Sequence, residues 1–251
     1  MRSVDVCVGA VVALCLAAVA RAEDLPRITH DWPGYTGPDG AYADQSKVPL
    51  LDDLSKARLV WTSEHADMGY GKTSSGGGHH YGPSHPSGSC SLMVAGGLVI
   101  AGYFNPRNSV VADDILLALD AATGQTKWKQ IYEGKGYNRT ARKHVQYGPT
   151  PAAADGKVFH LGSGGMVYCV ELASGKALWE VGLGDYPERF KAAVAKEEVK
   201  PDVKDGVSGA LKSSFAAPLT VIGGVLMVPA EALYALDTAT GKELWKLDGV
   251  T

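Results

Sequence analysis

Apolar side chains fall in short runs along this chain, and most runs stop at a glycine-bearing turn. Ser91–Ala95 and Leu98–Tyr103 flank Gly96-Gly97, Thr150–Ala154 and Lys157–Leu161 flank Asp155-Gly156, and Ala217–Ile222 and Val225–Pro229 flank Gly223-Gly224. Paired apolar runs around such dipeptides are hairpin signals. After each hairpin comes a third apolar run, as in Ile115–Leu119 and Met166–Val170, then a polar turn, then a run containing Trp. The pattern predicts four short antiparallel strands per unit and three units, an all-β chain. One stretch breaks the rhythm. Asp185–Lys200 places Phe190, Ala193 and Val194 on one helical face, starts with Asp185 and Glu188 at capping spacing and is followed by Pro201, so a surface helix is predicted over about 185–200.

The polar turn repeats almost letter for letter. Leu117-Ala118-Leu119-Asp120-Ala121-Ala122-Thr123-Gly124 leads to Trp128, Tyr168-Cys169-Val170-Glu171-Leu172-Ala173-Ser174-Gly175 to Trp179, and Tyr234-Ala235-Leu236-Asp237-Thr238-Ala239-Thr240-Gly241 to Trp245. The acid and the hydroxyl can bond nearby backbone N–H groups, and glycine takes the positive φ that the reversal needs. The acids are 51 and then 66 residues apart, and the longer interval contains the helical stretch. A four-stranded antiparallel unit repeated at such intervals is a blade of a β-propeller. The blades are placed at about 89–133, 147–182 and 215–248 within a region 56–251, after an extended segment 23–55.

The Ala-x-Asp-x-x-Thr-Gly-x-x-x-Trp pattern resembles the tryptophan-docking motif of the pyrroloquinoline-quinone-repeat propellers. That superfamily holds quinone-dependent alcohol dehydrogenases and the outer-membrane assembly lipoprotein of β-barrel insertion. The resemblance spans roughly 56–251, and the middle copy departs at Cys169, Glu171 and Ser174. It implies that Trp128, Trp179 and Trp245 dock one blade on the next, with Asp120, Thr123 and Gly124, Glu171, Ser174 and Gly175, and Asp237, Thr240 and Gly241 shaping the turns. These are structural roles, silent on catalysis. Family rings have about seven or eight blades, so three blades imply the N-terminal part of a longer ring or, as the lesser alternative, an oligomer that closes one. Ala57–Glu64, with Trp61, resembles a fourth strand without its first three, the strand that completes the last blade of a closed ring.

Composition refines this picture without changing it. Of 251 residues, 45% are hydrophobic and 20% charged, enough to bury a core. Residues 1–22 read as a cleaved export signal: Arg2, an apolar run Val6–Ala20, then Ala20-Arg21-Ala22 as a small-x-small site. That run is too short to span a bilayer, and Leu14 before Cys15 argues against a lipoprotein site. Cleavage places the protein in the periplasm or another exported compartment and takes the formal net charge from −3 to −4. No basic stripe for nucleic acid is left. Cys90 and Cys169 then remain, either as one disulfide or as two small buried thiols.

Candidate chemistry is sparse. His79, His80 and His85 share a Gly-rich loop where imidazoles could hold a transition metal, although no Cys or carboxylate stands at zinc spacing and a polar connection is the plainer reading. Ala66-x4-Gly71-Lys72-Thr73 mimics a phosphate loop, but Gly76-Gly77-Gly78 follows where a helix must open. Asn138-Arg139-Thr140 is a glycosylation sequon in a eukaryotic secretory cell, and Tyr137–His144 is a local basic stretch. The resemblance also raises pyrroloquinoline quinone and Ca²⁺ as cofactors of an alcohol or sugar dehydrogenase. Against it, the chain has no adjacent cysteines, and only Trp32 stands outside docking-type positions. The expectation is a non-catalytic binding or scaffold propeller with a protein or small-molecule ligand. The alternative is the quinone enzyme, with its site partly in further blades.

Overall fold

The structure is a computed structural model and describes residues 31–35, 37, 53, 55, 57–65, 91–107, 111–137, 149–199 and 217–249. Among these residues twelve strands form three four-stranded antiparallel sheets, each a simple up-and-down meander. Blade 1 is β1 (Ser91–Ala95), β2 (Leu98–Pro106), β3 (Val111–Asp120) and β4 (Thr126–Tyr137). Blade 2 is β5 (Ala152–Ala154), β6 (Lys157–Leu161), β7 (Met166–Glu171) and β8 (Ala177–Gly182). The helix α1 (Tyr186–Val199) precedes blade 3, made of β9 (Thr220–Ile222), β10 (Val225–Pro229), β11 (Ala232–Asp237) and β12 (Glu243–Asp248). The fold is thus an all-β propeller, with three blades and one helix among the described residues, whose sheets do not close a ring.

The sheets stack face to face because both faces of a middle strand are apolar. In β3, Leu116 and Ala118 pack towards blade 2, while Ile115, Leu117 and Leu119 pack on the opposite side with Trp61. Phe159, Leu161, Val167 and Cys169 of blade 2 likewise meet Leu226, Val228, Tyr234 and Leu236 of blade 3. The three tryptophans hold one register, with Trp128 opposite Ala118, Trp179 opposite Cys169 and Trp245 opposite Ala235. A bulge follows at the next residue of each third strand. Such a bulge adds local twist and re-aims side chains.

Two features extend beyond the sequence pattern. Blade 1 runs further, to Tyr137, because its long strands are tied together: Arg107 pairs with Asp113 and, at 2.9 Å, with Glu133, while Gly134 N–H donates to Asp113 at 2.7 Å. The helix lies on the surface, and its inner side is core. Tyr186, Phe190 and Ala193 are buried with the facing residues of blades 2 and 3. The Asp185 carboxylate takes Arg189 at 3.2 Å, and Glu188 pairs with Lys191 at 2.7 Å. Among the described residues no helix is long and apolar enough to cross a membrane.

Candidate functional site

The repeated turn assembles a small receptor on each blade. In blade 1 the Asp120 carboxylate accepts the N–H groups of Ala122 and Thr123 at 3.0 and 2.9 Å and the Thr123 hydroxyl at 3.0 Å. Blade 3 repeats this with Asp237, Ala239 and Thr240 at 3.1, 2.8 and 2.7 Å. Both carboxyls are held below the usual range, Asp120 chiefly by Lys127 and Asp237 chiefly by the Thr240 hydroxyl. Blade 2 uses the longer pair: Ser174 donates to Glu171 and in turn accepts Lys176 N–H at 3.1 Å. Gly124, Gly175 and Gly241 all sit near φ +70°, where side chains are strained.

Each glycine also makes room for an indole from the preceding unit. A methyl on Gly124 would come within 2.5 Å of Trp61, one on Gly175 within 2.6 Å of Trp128, and one on Gly241 within 2.6 Å of Trp179. The indole N–H donates to the carbonyl one residue past the acid: Trp61 to Ala121 at 3.0 Å, Trp128 to Leu172 at 2.8 Å and Trp179 to Thr238 at 3.3 Å. Trp61 therefore performs on blade 1 what Trp128 performs on blade 2, although residues 57–64 join no ladder and Leu59 is 81% exposed. Trp245 occupies the same register but is 46% exposed, against 8% for Trp128. Leu247, two residues on in the same strand, is 51% exposed.

A second cluster was not among the candidates. Between blades 1 and 2, the buried Asp114 carboxylate accepts Ser163 N–H at 2.9 Å and Ser163 Oγ–H at 2.6 Å. Tyr132 and Tyr168 stack with ring centroids 3.6 Å apart, and the His160 ring lies 6.3 Å from that of Tyr168. Burial raises both phenols, with Glu180 adding for Tyr132 and Asp114 for Tyr168. Burial alone lowers His160 to about 4. Tyr132 Oη and His160 Nδ1 meet no hydrogen-bond partner among the described residues. Space for the cluster comes from glycines, since a methyl on Gly162 would strike Asp114 and one on Gly102 would strike His160. The signal was present in the sequence: Asp113-Asp114 interrupts an otherwise apolar strand.

The remaining candidates stand apart from these seams. His79, His80, His85, Cys90 and the Asn138-Arg139-Thr140 sequon lie outside the described residues, as does the export segment. Cys169 is a buried free thiol pushed up to about 12 by its burial. Among the described residues no three His, Cys, Asp or Glu side chains stand close enough to hold a metal. Trp61, Trp128 and Trp179 are committed to turns through their indole N–H groups.

The family described as outer membrane protein assembly factor BamB matches residues 54–196. Among solved structures, a europium-containing methanol dehydrogenase is 18% identical, with a TM-score of 0.39, over 62% of this chain and 23% of its own. A quinohemoprotein alcohol dehydrogenase from Pseudomonas putida is 19% identical, with a TM-score of 0.40, over 62% and 20%. BamB from Moraxella catarrhalis is 15% identical, with a TM-score of 0.34, over 64% and 47%. The chain thus spans about a quarter or less of the dehydrogenases and under half of that BamB. No curated protein matches it.

Proposed function

The chain belongs to the outer membrane protein assembly factor BamB family of pyrroloquinoline-quinone-repeat propellers, and from that premise we propose that it is an exported binding and scaffold module. Its working surface is the outward face of blade 3. One contrast carries this reading. The same indole in the same register is covered at Trp128 and uncovered at Trp245, with the exposed Leu247 two residues on in the same strand. A contiguous exposed apolar patch is what interaction sites present. The partner surface it fits is the one its equivalents already meet: an acid-x-x-hydroxyl-Gly turn with a carbonyl free to accept the indole N–H. Further blades would supply such a turn.

A photoreactive residue at Leu247 tests the idea in cells. Adducts carrying a blade-type turn support it, and adducts confined to unrelated or scattered sequences overturn it. Export is checked by sequencing the N-terminus of the periplasmic protein, where Glu23 is the expected first residue. The enzyme alternative is read from a thermal melt of residues 23–251 with and without Ca²⁺ plus pyrroloquinoline quinone. A ligand that binds only the folded chain raises the melting temperature. A rise would replace the scaffold reading with a quinone-dependent oxidoreductase, and an unchanged cooperative melt supports the scaffold.

A further inference from the structure

The first strands of the blades are edge strands, with one side of the backbone open to a new partner. In β1 and β5 that side is taken by the chain's own N-terminal segment. Trp32 N–H donates to Val94 O at 2.7 Å and Val94 N–H returns to Trp32 O at 2.9 Å, an antiparallel bridge. One residue on, Pro33 O accepts Ala153 N–H of β5 at 2.8 Å. The Asp31 carboxylate accepts Gly96 N–H at 2.9 Å, in the β1–β2 turn. Gly34 then lies over Leu219 O, at the approach to β9, and Gly37 folds back against the Trp32 ring. Four residues thus cross two blades in succession and reach towards the third.

We infer that the edges of β1 and β5 form a groove for an extended peptide, and that Asp31–Gly34 is its intramolecular occupant. Three features support this. The contacts are main-chain bonds of the kind by which an added strand binds a sheet edge, which gives affinity without demanding a unique sequence. The occupant carries its own recognition elements: an acid for the turn amide, an aromatic residue on the bridge and a proline that presents only a carbonyl. The groove also continues past its occupant, since Thr220 and Ile222 of β9 remain exposed. The ligand class is therefore an extended peptide segment reading acid-aromatic-Pro, longer than the built-in one and able to displace it. The inference rests on the binding-module reading but uses the first strands, whereas that reading uses β12, so the two can fail separately.

Hydrogen exchange on the full chain tests the groove. Trp32→Ala is expected to speed exchange at Val94 and Ala153 by about tenfold or more while leaving the core amide of Val170 unchanged. A synthetic peptide of residues 28–37, added to this variant, should restore protection at both amides, and a scrambled peptide should not. Asp31→Ala gives a milder variant that loses only the Gly96 contact, and the same peptide should outcompete its weakened segment. Fluorescence anisotropy of the labelled peptide on Trp32→Ala gives an independent readout, with saturable binding expected. If neither variant binds the peptide while Val170 stays protected, the segment is a structural tether and the inference is wrong.

Discussion

The two seams between blades share one end and differ at the other. Each has an indole on a glycine, Trp128 on Gly175 and Trp179 on Gly241. Away from that contact, the first seam buries Asp114, His160, Ser163 and Tyr168 with the half-buried Tyr132 beside them, and the second buries Leu183, Tyr186, Phe190 and Ala193 with the helix as an added layer. Arg189 closes the second seam from outside by pairing with Glu231 and lying 5.1 Å over the Tyr186 ring. The lesson is that the docking motif fixes only the spacing and register of neighbouring sheets. What fills the rest is free to be polar or apolar, with opposite consequences. The apolar seam gains by excluding water, whereas in the polar seam every buried group needs a partner or costs stability.

The sharpest way to break the comparison is at the shared end. Trp128→Ala should lower stability by about 3–5 kcal/mol in urea unfolding, and Trp245→Ala by under about 1 kcal/mol, because only the first indole is covered. Equal losses would mean the indole acts within its own sheet. Phe190→Ala attacks the second seam alone. A loss of about 3 kcal/mol is expected from a buried aromatic side chain, with exchange protection falling in blade 3 and holding in blade 1.

Acid should distinguish the first seam. His160 is neutral when folded, with its pKa lowered from 6.5 to about 4, so the unfolded chain binds the extra proton between those values. Stability is full above about pH 6.5 and is lost as pH falls towards 4, by up to about 3 kcal/mol. His160→Gln should flatten that part of a pH series of melts. The smallest effect is expected at Tyr132→Phe. It removes a buried hydroxyl that meets no partner among the described residues, so stability should change by less than about 1 kcal/mol and in the favourable direction. A clear loss would show a hidden partner for that oxygen.

Much of the fold was legible because it depends on local rules. Gly96-Gly97, Asp155-Gly156 and Gly223-Gly224 turn where hairpin chemistry says they must, and all six residues have positive φ. The acid, hydroxyl and glycine of each repeat can make their bonds within five residues of sequence, so the pattern alone suffices to propose them. Asp114 shows the limit. Its neighbours in the seam come from β4, β6, β7 and the loop after β6, as far as 54 residues away at Tyr168. No periodicity marks Tyr132 and Tyr168 as stacking partners, because that depends on how two sheets are set against each other.

By itself, then, the sequence determined the number of sheets described, their strand order and the chemistry of their turns, since those follow from steric preference and short-range hydrogen bonding. Only the tertiary structure decided which indoles are covered, that α1 is a core element, that a buried polar cluster divides one seam from the other, and that Asp31–Gly34 lies along two sheet edges. Each of these depends on surfaces far apart in the chain meeting face to face, where burial, and no local preference, selects the outcome.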